Sequence, residues 1–177
     1  MSQNLKRGII FLSSLVLIAL LGVVFYYSDI QKSPELAVCT TEAKLCPNGS
    51  YVSRIAPDCK FAPCPKEDLI KIESPRANEK VGSPLTIRGE ARGFWFFEAT
   101  FPVELYDEAD NFIAQSHARA EGEWMTEEFV PFEANLEFNV SVEQRGRLVL
   151  RKSNPSGFSE HSDKIAIPIV LTPNLAF

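Results

Sequence analysis

The chain has little of what most catalytic machinery needs. Its 177 residues include two histidines, His117 and His161. A Ser–His–acid set can be drawn from Ser159, His161 and Asp163, but these lie almost side by side in one loop-like stretch. A working triad needs a rigidly held nucleophile, an oriented base and an oxyanion hole, and no nucleophile elbow is present. Both histidines therefore read as surface or loop residues. No cysteine follows Cys64, so the long C-terminal part must fold on aliphatic and aromatic packing. A basic excess is missing too. Beyond Tyr27, 16 Lys and Arg face 23 Asp and Glu, a balance of −7. That sign argues against nucleic acid or anionic lipid headgroups as partners.

One stretch lacks charge altogether. Gly8 to Tyr27 hold 20 residues without an acid or a base, directly after Lys6 and Arg7. A helix of that length spans about 30 Å, the thickness of a bilayer's hydrocarbon core. Basic residues gather on the cytoplasmic side of a span. The far flank carries Asp29, Lys32 and Glu35 with no basic excess, so the C-terminal part is expected outside the cell membrane. A cleaved signal peptide would have an apolar region of about 7–15 residues followed by small residues. This stretch is longer and ends in Phe25-Tyr26-Tyr27, residues suited to an aromatic interface belt. The expected organisation is a cytoplasmic tail at 1–7, a transmembrane anchor at 8–27, a linker at 28–36, a four-cysteine module at 37–65 and a larger domain at 66–177.

All four cysteines, Cys39, Cys46, Cys59 and Cys64, fall just past the anchor. An even number in an exported segment reads as two disulfides, with three pairings open. The segment has turns at Pro47-Asn48-Gly49 and Ala56-Pro57-Asp58 and few core candidates. Cross-links are the expected substitute for burial in so short a piece. Zinc ligands come as closely spaced pairs. Only Cys59 and Cys64 approach that spacing, so no metal is expected. Pro65–Asp68 reads as a hinge to the next domain.

From Leu69 the pattern changes to short alternating apolar runs separated by turn signals. Strands are expected at Leu69–Glu73, Leu85–Ala91, Thr100–Tyr106, Phe112–Ala120, Glu123–Pro131, Leu136–Glu143, Leu148–Lys152 and Ile165–Leu171. Period-two alternation at this spacing marks a half-buried antiparallel architecture. The fold class is all-β, a sandwich of immunoglobulin type with seven or eight strands. Trp124 sits in one of these runs and is expected to be mostly buried.

Phe94-Trp95-Phe96-Phe97 is the densest apolar patch outside the anchor. In an extended strand, Phe94 and Phe96 would face one way, Trp95 and Phe97 the other. One pair then enters the core. The other, with Trp95 the expected member, either lies under a corner or forms a protein-binding patch. Asn154-Pro155-Ser156-Gly157 reads as a turn, either a fixed corner or a contact loop.

The stretch RGFWFFEATFPVEL at 92–105 resembles the immunoglobulin-like domain of bacterial spore-germination and related envelope proteins. The likeness continues through Ser74-Pro75, Asn78, Ser83-Pro84-Leu85, Ile113-Ala114, Gly122, Trp124-Met125-Thr126, Phe129 and Asn154–Gly157, and covers about residues 69–171. It implies an extracytoplasmic, non-catalytic β-sandwich attached to membrane or wall proteins, with a link to sporulation or germination. At Asp110-Asn111 the family often has Gly in a hairpin turn, and Asn tolerates the positive φ such a turn needs. In a bacterial chain, the acceptor patterns Asn48-Gly49-Ser50 and Asn139-Val140-Ser141 are chance matches.

Asp107, Glu108 and Asp110 form an acidic hairpin tip. A calcium loop would need a Gly turn and a closing bidentate Glu, so a solvated tip is expected. The function expected is a membrane-anchored binding or scaffolding protein of the bacterial cell envelope, without cofactor. Its partner would be an envelope protein or wall component. The alternative is an extracellular peptidase inhibitor, with a stapled loop such as Pro47–Ile55 held extended for a protease cleft.

Overall fold

The computed structural model describes residues 17–27 and 38–173. Residues 17–27 are helical, with every side chain exposed. Residues 8–16 of the expected anchor lie outside the described residues, as do the tail and the linker. Among the described residues no helix is long and apolar enough to cross a membrane. The chain divides into two compact units. The described part of the first is 17–27, 38–39 and 56–59; that of the second is 40–55 and 60–173.

The first unit contains the disulfide Cys39–Cys59, with Cα atoms 5.2 Å apart. The second contains Cys46–Cys64, at 5.6 Å. Of the three pairings open in the sequence, the first cysteine thus joins the third and the second joins the fourth.

In the second unit a small sheet runs β1 (Ala43–Leu45), β2 (Tyr51–Ile55), β3 (Lys60–Phe61), in that order. The residues between β1 and β2 turn on Asn48 Oδ1, which accepts from Ser50 N at 3.1 Å and Ser50 Oγ at 2.7 Å. The expected hinge at Pro65–Asp68 is a hydrogen-bonded turn instead. Leu69 N and Ile70 N both donate to Lys66 O at 2.9 Å, and Glu67 Oε2 accepts from Cys64 N at 2.9 Å. Lys66 reaches across to the Asp163 carboxylate and donates to Lys164 O at 2.8 Å. These bonds tie the turn to the large sheet, and a tied turn cannot swing.

The large sheet contains β4 (Ile70–Ser74), β5 (Lys80–Val81), β6 (Leu85–Arg92), β7 (Thr100–Asp107), β8 (Phe112–Ala120), β9 (Phe129–Leu136), β10 (Gln144–Arg151) and β11 (Lys164–Leu171). Their hydrogen-bonded order is β4-β6-β9-β8-β7-β10-β11-β5. All eight strands form one sheet that curls into two layers. The layers join where β8 meets β9, through Arg119↔Glu133 and Ala120↔Phe132. Across the interior, Phe101 of β7 meets Phe132 of β9 with ring centroids 4.9 Å apart. Alternation does the filling. Val130, Phe132, Ala134 and Leu136 of β9 are buried, as are Ile165, Ile167, Ile169 and Leu171 of β11.

Three expected strands differ from those observed: Leu148–Lys152 falls at the end of the longer β10, which begins at Gln144. Glu123–Pro131 and Leu136–Glu143 give way to one strand, β9, which passes straight through Pro131. Pro131 pairs with Glu90, and its carbonyl turns the other way to accept from Glu121 N at 2.8 Å. Its missing N–H therefore removes nothing from the ladder with β6. Trp124 lies before β9 in an irregular loop and is partly buried against the core. Phe138 and Val140 keep the alternation and are buried, but among the described residues no strand pairs with them. Phe138 N instead donates to Ser83 Oγ at 2.9 Å.

Candidate functional site

The aromatic run does not extend as a strand. Gly93–Trp95 form one turn of 3-10 helix, closed by Phe96 N donating to Gly93 O at 3.1 Å. Glycine is required at 93. A methyl there would run into the carbonyl oxygens of Trp124 and Thr126, and Gly93 N donates to Glu128 O at 3.1 Å. Past Phe96 the chain reverses in a two-residue hairpin. Phe97 and Thr100 exchange backbone hydrogen bonds of 2.9 and 3.1 Å, and Glu98 and Ala99 sit at φ of 50° and 60°. Positive φ at both central residues matches the twist of a hairpin turn.

This geometry re-sorts the four rings and corrects the alternating pairs expected of a strand. Trp95 and Phe96 are in the core, at 0% and 4% exposed, and Phe94 and Phe97 are outside, at 48% and 45%. Trp95 packs edge-on to Phe101 at 6.4 Å and Phe96 lies 5.2 Å from the same ring. The Trp95 indole N–H has no hydrogen-bond partner among the described residues. Trp95 is therefore a packing residue, and only Phe94 and Phe97 remain available to a partner.

The second stretch singled out in the sequence, Asn154–Gly157, lies in a loop rooted on the aromatic run. Ser153 N donates to Trp95 O at 2.9 Å and Ser153 Oγ to Thr100 O at 2.8 Å. Lys152 Nζ stands 5.4 Å from the centre of the Phe94 ring. Asn154 organises the loop. Its Nδ2 donates to Phe158 O at 2.7 Å and Ser162 Oγ at 2.9 Å, and its Oδ1 accepts from Ser156 Oγ at 2.6 Å. Gly157 takes φ +71° and donates to Asn154 O at 3.2 Å. The loop thus holds a fixed shape while Phe158 stays 62% exposed. The tertiary structure brings two separate sequence candidates to one place.

The other candidates are occupied by structure. The Asp163 carboxylate is held by Lys66 and by Lys164 N, and the His161 ring packs edge-on to Phe158. Ser159, His161 and Asp163 are not assembled as a triad. At the acidic tip, Asp107 Oδ1 accepts from Ala109 N at 2.9 Å and Asn111 N at 2.8 Å, and Oδ2 accepts from Asn111 Nδ2 at 2.8 Å. The Asn111 side-chain bond, then its backbone bond, pulls the Asp107 pKa below the usual carboxylate value. Asp110 pairs with Arg147 and carries the positive φ, 65°, that the sequence placed on Asn111. Among the described residues no cluster could hold a metal ion. Tyr51–Ile55, half of the expected inhibitor loop, is the middle strand of the small sheet, with residues 51–53 paired to β1 and 54–55 to β3. It is not an extended loop free to enter a protease cleft.

Strand order, curl and a core of aromatic and branched residues define an immunoglobulin-like β-sandwich. Residues 69–159, just over half of the chain, match the immunoglobulin-like domain of bacterial spore germination, and the chain belongs to that family. Both the aromatic run and the Asn154–Gly157 loop lie within the matched residues, while the three-stranded sheet lies before them. No curated protein and no solved structure matches the chain.

Proposed function

We propose that this protein is a non-catalytic binding or scaffolding component of the bacterial cell envelope. Residues 8–27 tether it to the membrane, and the folded part stands outside the cytoplasm. Family membership supports a non-catalytic envelope role. The uncharged 20-residue run behind Lys6 and Arg7 supports the tether. The observation that carries the binding role is the split of the aromatic run. Its inner half fills the core while Phe94 and Phe97 stay about half exposed, beside a loop of fixed shape that presents Phe158. Single exposed apolar residues are ordinary. Exposed rings on rigid backbone are the kind of anchor in which interface energy concentrates.

The test is cross-linking capture from envelope extract with the full chain and with Phe94→Ser/Phe97→Ser. The double variant should keep its fold and lose the partners that the unaltered chain captures. Equal capture by both chains would overturn the assignment. For the tether, the full-length chain should stay with membranes after a carbonate wash. A mature N-terminus near Ser28 would refute it.

A further inference from the structure

A cleft of about 440 Å³ opens in the second unit, away from the aromatic run. That volume is within the range of ligand sites. Its apolar lining includes Leu45, Ile70, Ile72, Pro75 and Ile165, with the Cys46–Cys64 bridge among them. Leu45 is 40% exposed there. The strands that supply Leu45 and Ile72, β1 and β4, are each at the end of their sheet's order, with no strand on their outer side among the described residues. Among the described residues β4 pairs only with β6. Arg92 N donates to Leu69 O at 2.9 Å and Lys71 stands opposite Glu90. Leu69 and Lys71 therefore direct their backbone groups toward β6. By alternation Ile70 and Ile72 direct theirs outward; Ile70 N is already held by Lys66 O at 2.9 Å, so the N–H of this edge that the cleft offers is that of Ile72. A cleft bordered by two strand edges offers backbone donors and acceptors as well as apolar wall.

The charge at this cleft is opposite in sign to the balance of the chain beyond Tyr27. Lys44, Lys71 and Arg76 line it together with one carboxylate, Glu67, in a chain that is acidic beyond Tyr27. Lys44 faces Glu67 at 3.6 Å, and Lys71 faces Glu90 at 3.3 Å with its ammonium 3.8 Å from the centre of the Phe129 ring. Both are exposed pairs of the weak kind that an incoming carboxylate can displace. The exposed Arg76 side chain has no ion pair among the described residues.

We propose that this cleft binds an extended segment of a partner protein, with alternating apolar and acidic residues, which adds to the outer edge of β4. Backbone pairing supplies affinity, as in other strand additions. The apolar side chains of the segment enter between Leu45 and Ile72, and its carboxylates meet Lys71 and Arg76. This surface is separate from Phe94 and Phe97, so either can fail without the other.

The test uses the full chain in detergent and a fluorescent peptide alternating Glu and Val over seven residues. Anisotropy should show saturable binding that weakens at least fivefold between 50 and 300 mM salt. Lys71→Glu/Arg76→Glu should abolish it, while Phe94→Ser/Phe97→Ser should leave it unchanged. The same peptide N-methylated at alternate backbone nitrogens keeps its side chains but cannot pair, and should bind at least tenfold more weakly. No binding of the parent peptide would overturn the proposal. Equal binding of the N-methylated peptide, or of a Lys and Val counterpart, would do so as well. A dimer by sedimentation that Lys71→Glu/Arg76→Glu dissolves would give the cleft to a second copy of the chain and also refute it.

Discussion

Replacing Trp95 by Ala should strongly destabilise the sandwich, whereas replacing Phe94 or Phe97 should not. Trp95 is fully buried, and its ring is edge-on to Phe101, which touches Phe96 and Phe132 in turn. Truncation leaves a cavity in the centre of that cluster, and large-to-small changes of this kind cost about 3–5 kcal/mol. A domain's whole stability is about 5–15 kcal/mol. At about 4 °C per kcal/mol for a domain of this size, the midpoint of thermal unfolding should fall by about 12–20 °C. Trp95→Phe separates packing from hydrogen bonding. The indole N–H has no partner, so losing it removes a desolvation cost of about 1–3 kcal/mol while opening a smaller void. The net change should stay under about 1.5 kcal/mol. Phe94→Ala and Phe97→Ala, about half exposed, should each cost less than about 1 kcal/mol. Circular dichroism melts of the four variants check all of this. An unchanged melt for Trp95→Ala would refute the buried assignment. A Trp95→Phe loss as large as that of Trp95→Ala would show that the N–H is bonded after all.

Cys46→Ala/Cys64→Ala removes a bridge across a sequence separation of 18 residues and should cost about 3 kcal/mol, read by denaturant titration; a loss under about 1 kcal/mol would refute loop closure as the source of its stabilisation. Gly93→Ala should cost about 1–3 kcal/mol through overpacking and raise amide exchange at residues 121–128, since the added methyl meets the carbonyls of Trp124 and Thr126; unaltered exchange there would refute the contact. Asp107, held by Asn111, and Glu133, held by Arg88, should both titrate by NMR below the ordinary range of their carboxyl groups. For such depressed carboxylates the stabilisation is present above the unfolded pKa and lost as pH falls through the folded one. Stability should therefore decline below about pH 4, and Asp107→Ala should remove part of that dependence.

Much of the architecture was legible in the residues because its causes are local. Alternation depends only on neighbours along the chain, so Leu85–Ala91, Thr100–Tyr106, Phe112–Ala120 and Ile165–Leu171 matched strands to within a residue or two. Four clustered cysteines in a segment too small for a core implied two bridges, and both are present. The motifs from Ser74-Pro75 to Asn154–Gly157 were enough for the family. The features that only the tertiary structure decided depend on residues far apart in sequence. The pairing of the cysteines follows from which Cα atoms the fold brings within 6 Å. Strand β9 continues through Pro131 because its neighbours make that N–H unnecessary, which no local rule shows. Glu98 and Ala99 carry a turn normally marked by Gly or Asn, so the reversal after Phe97 had no signature. That turn, and the backbone approach at Gly93, placed Trp95 inside and Phe94 outside. The same long-range contacts set the Asn154–Gly157 loop on the aromatic run and tied Lys66 to β11. Periodicity records which face of a strand is apolar. Which strand lies opposite, and where the chain bends, is set by packing energy summed over the whole core.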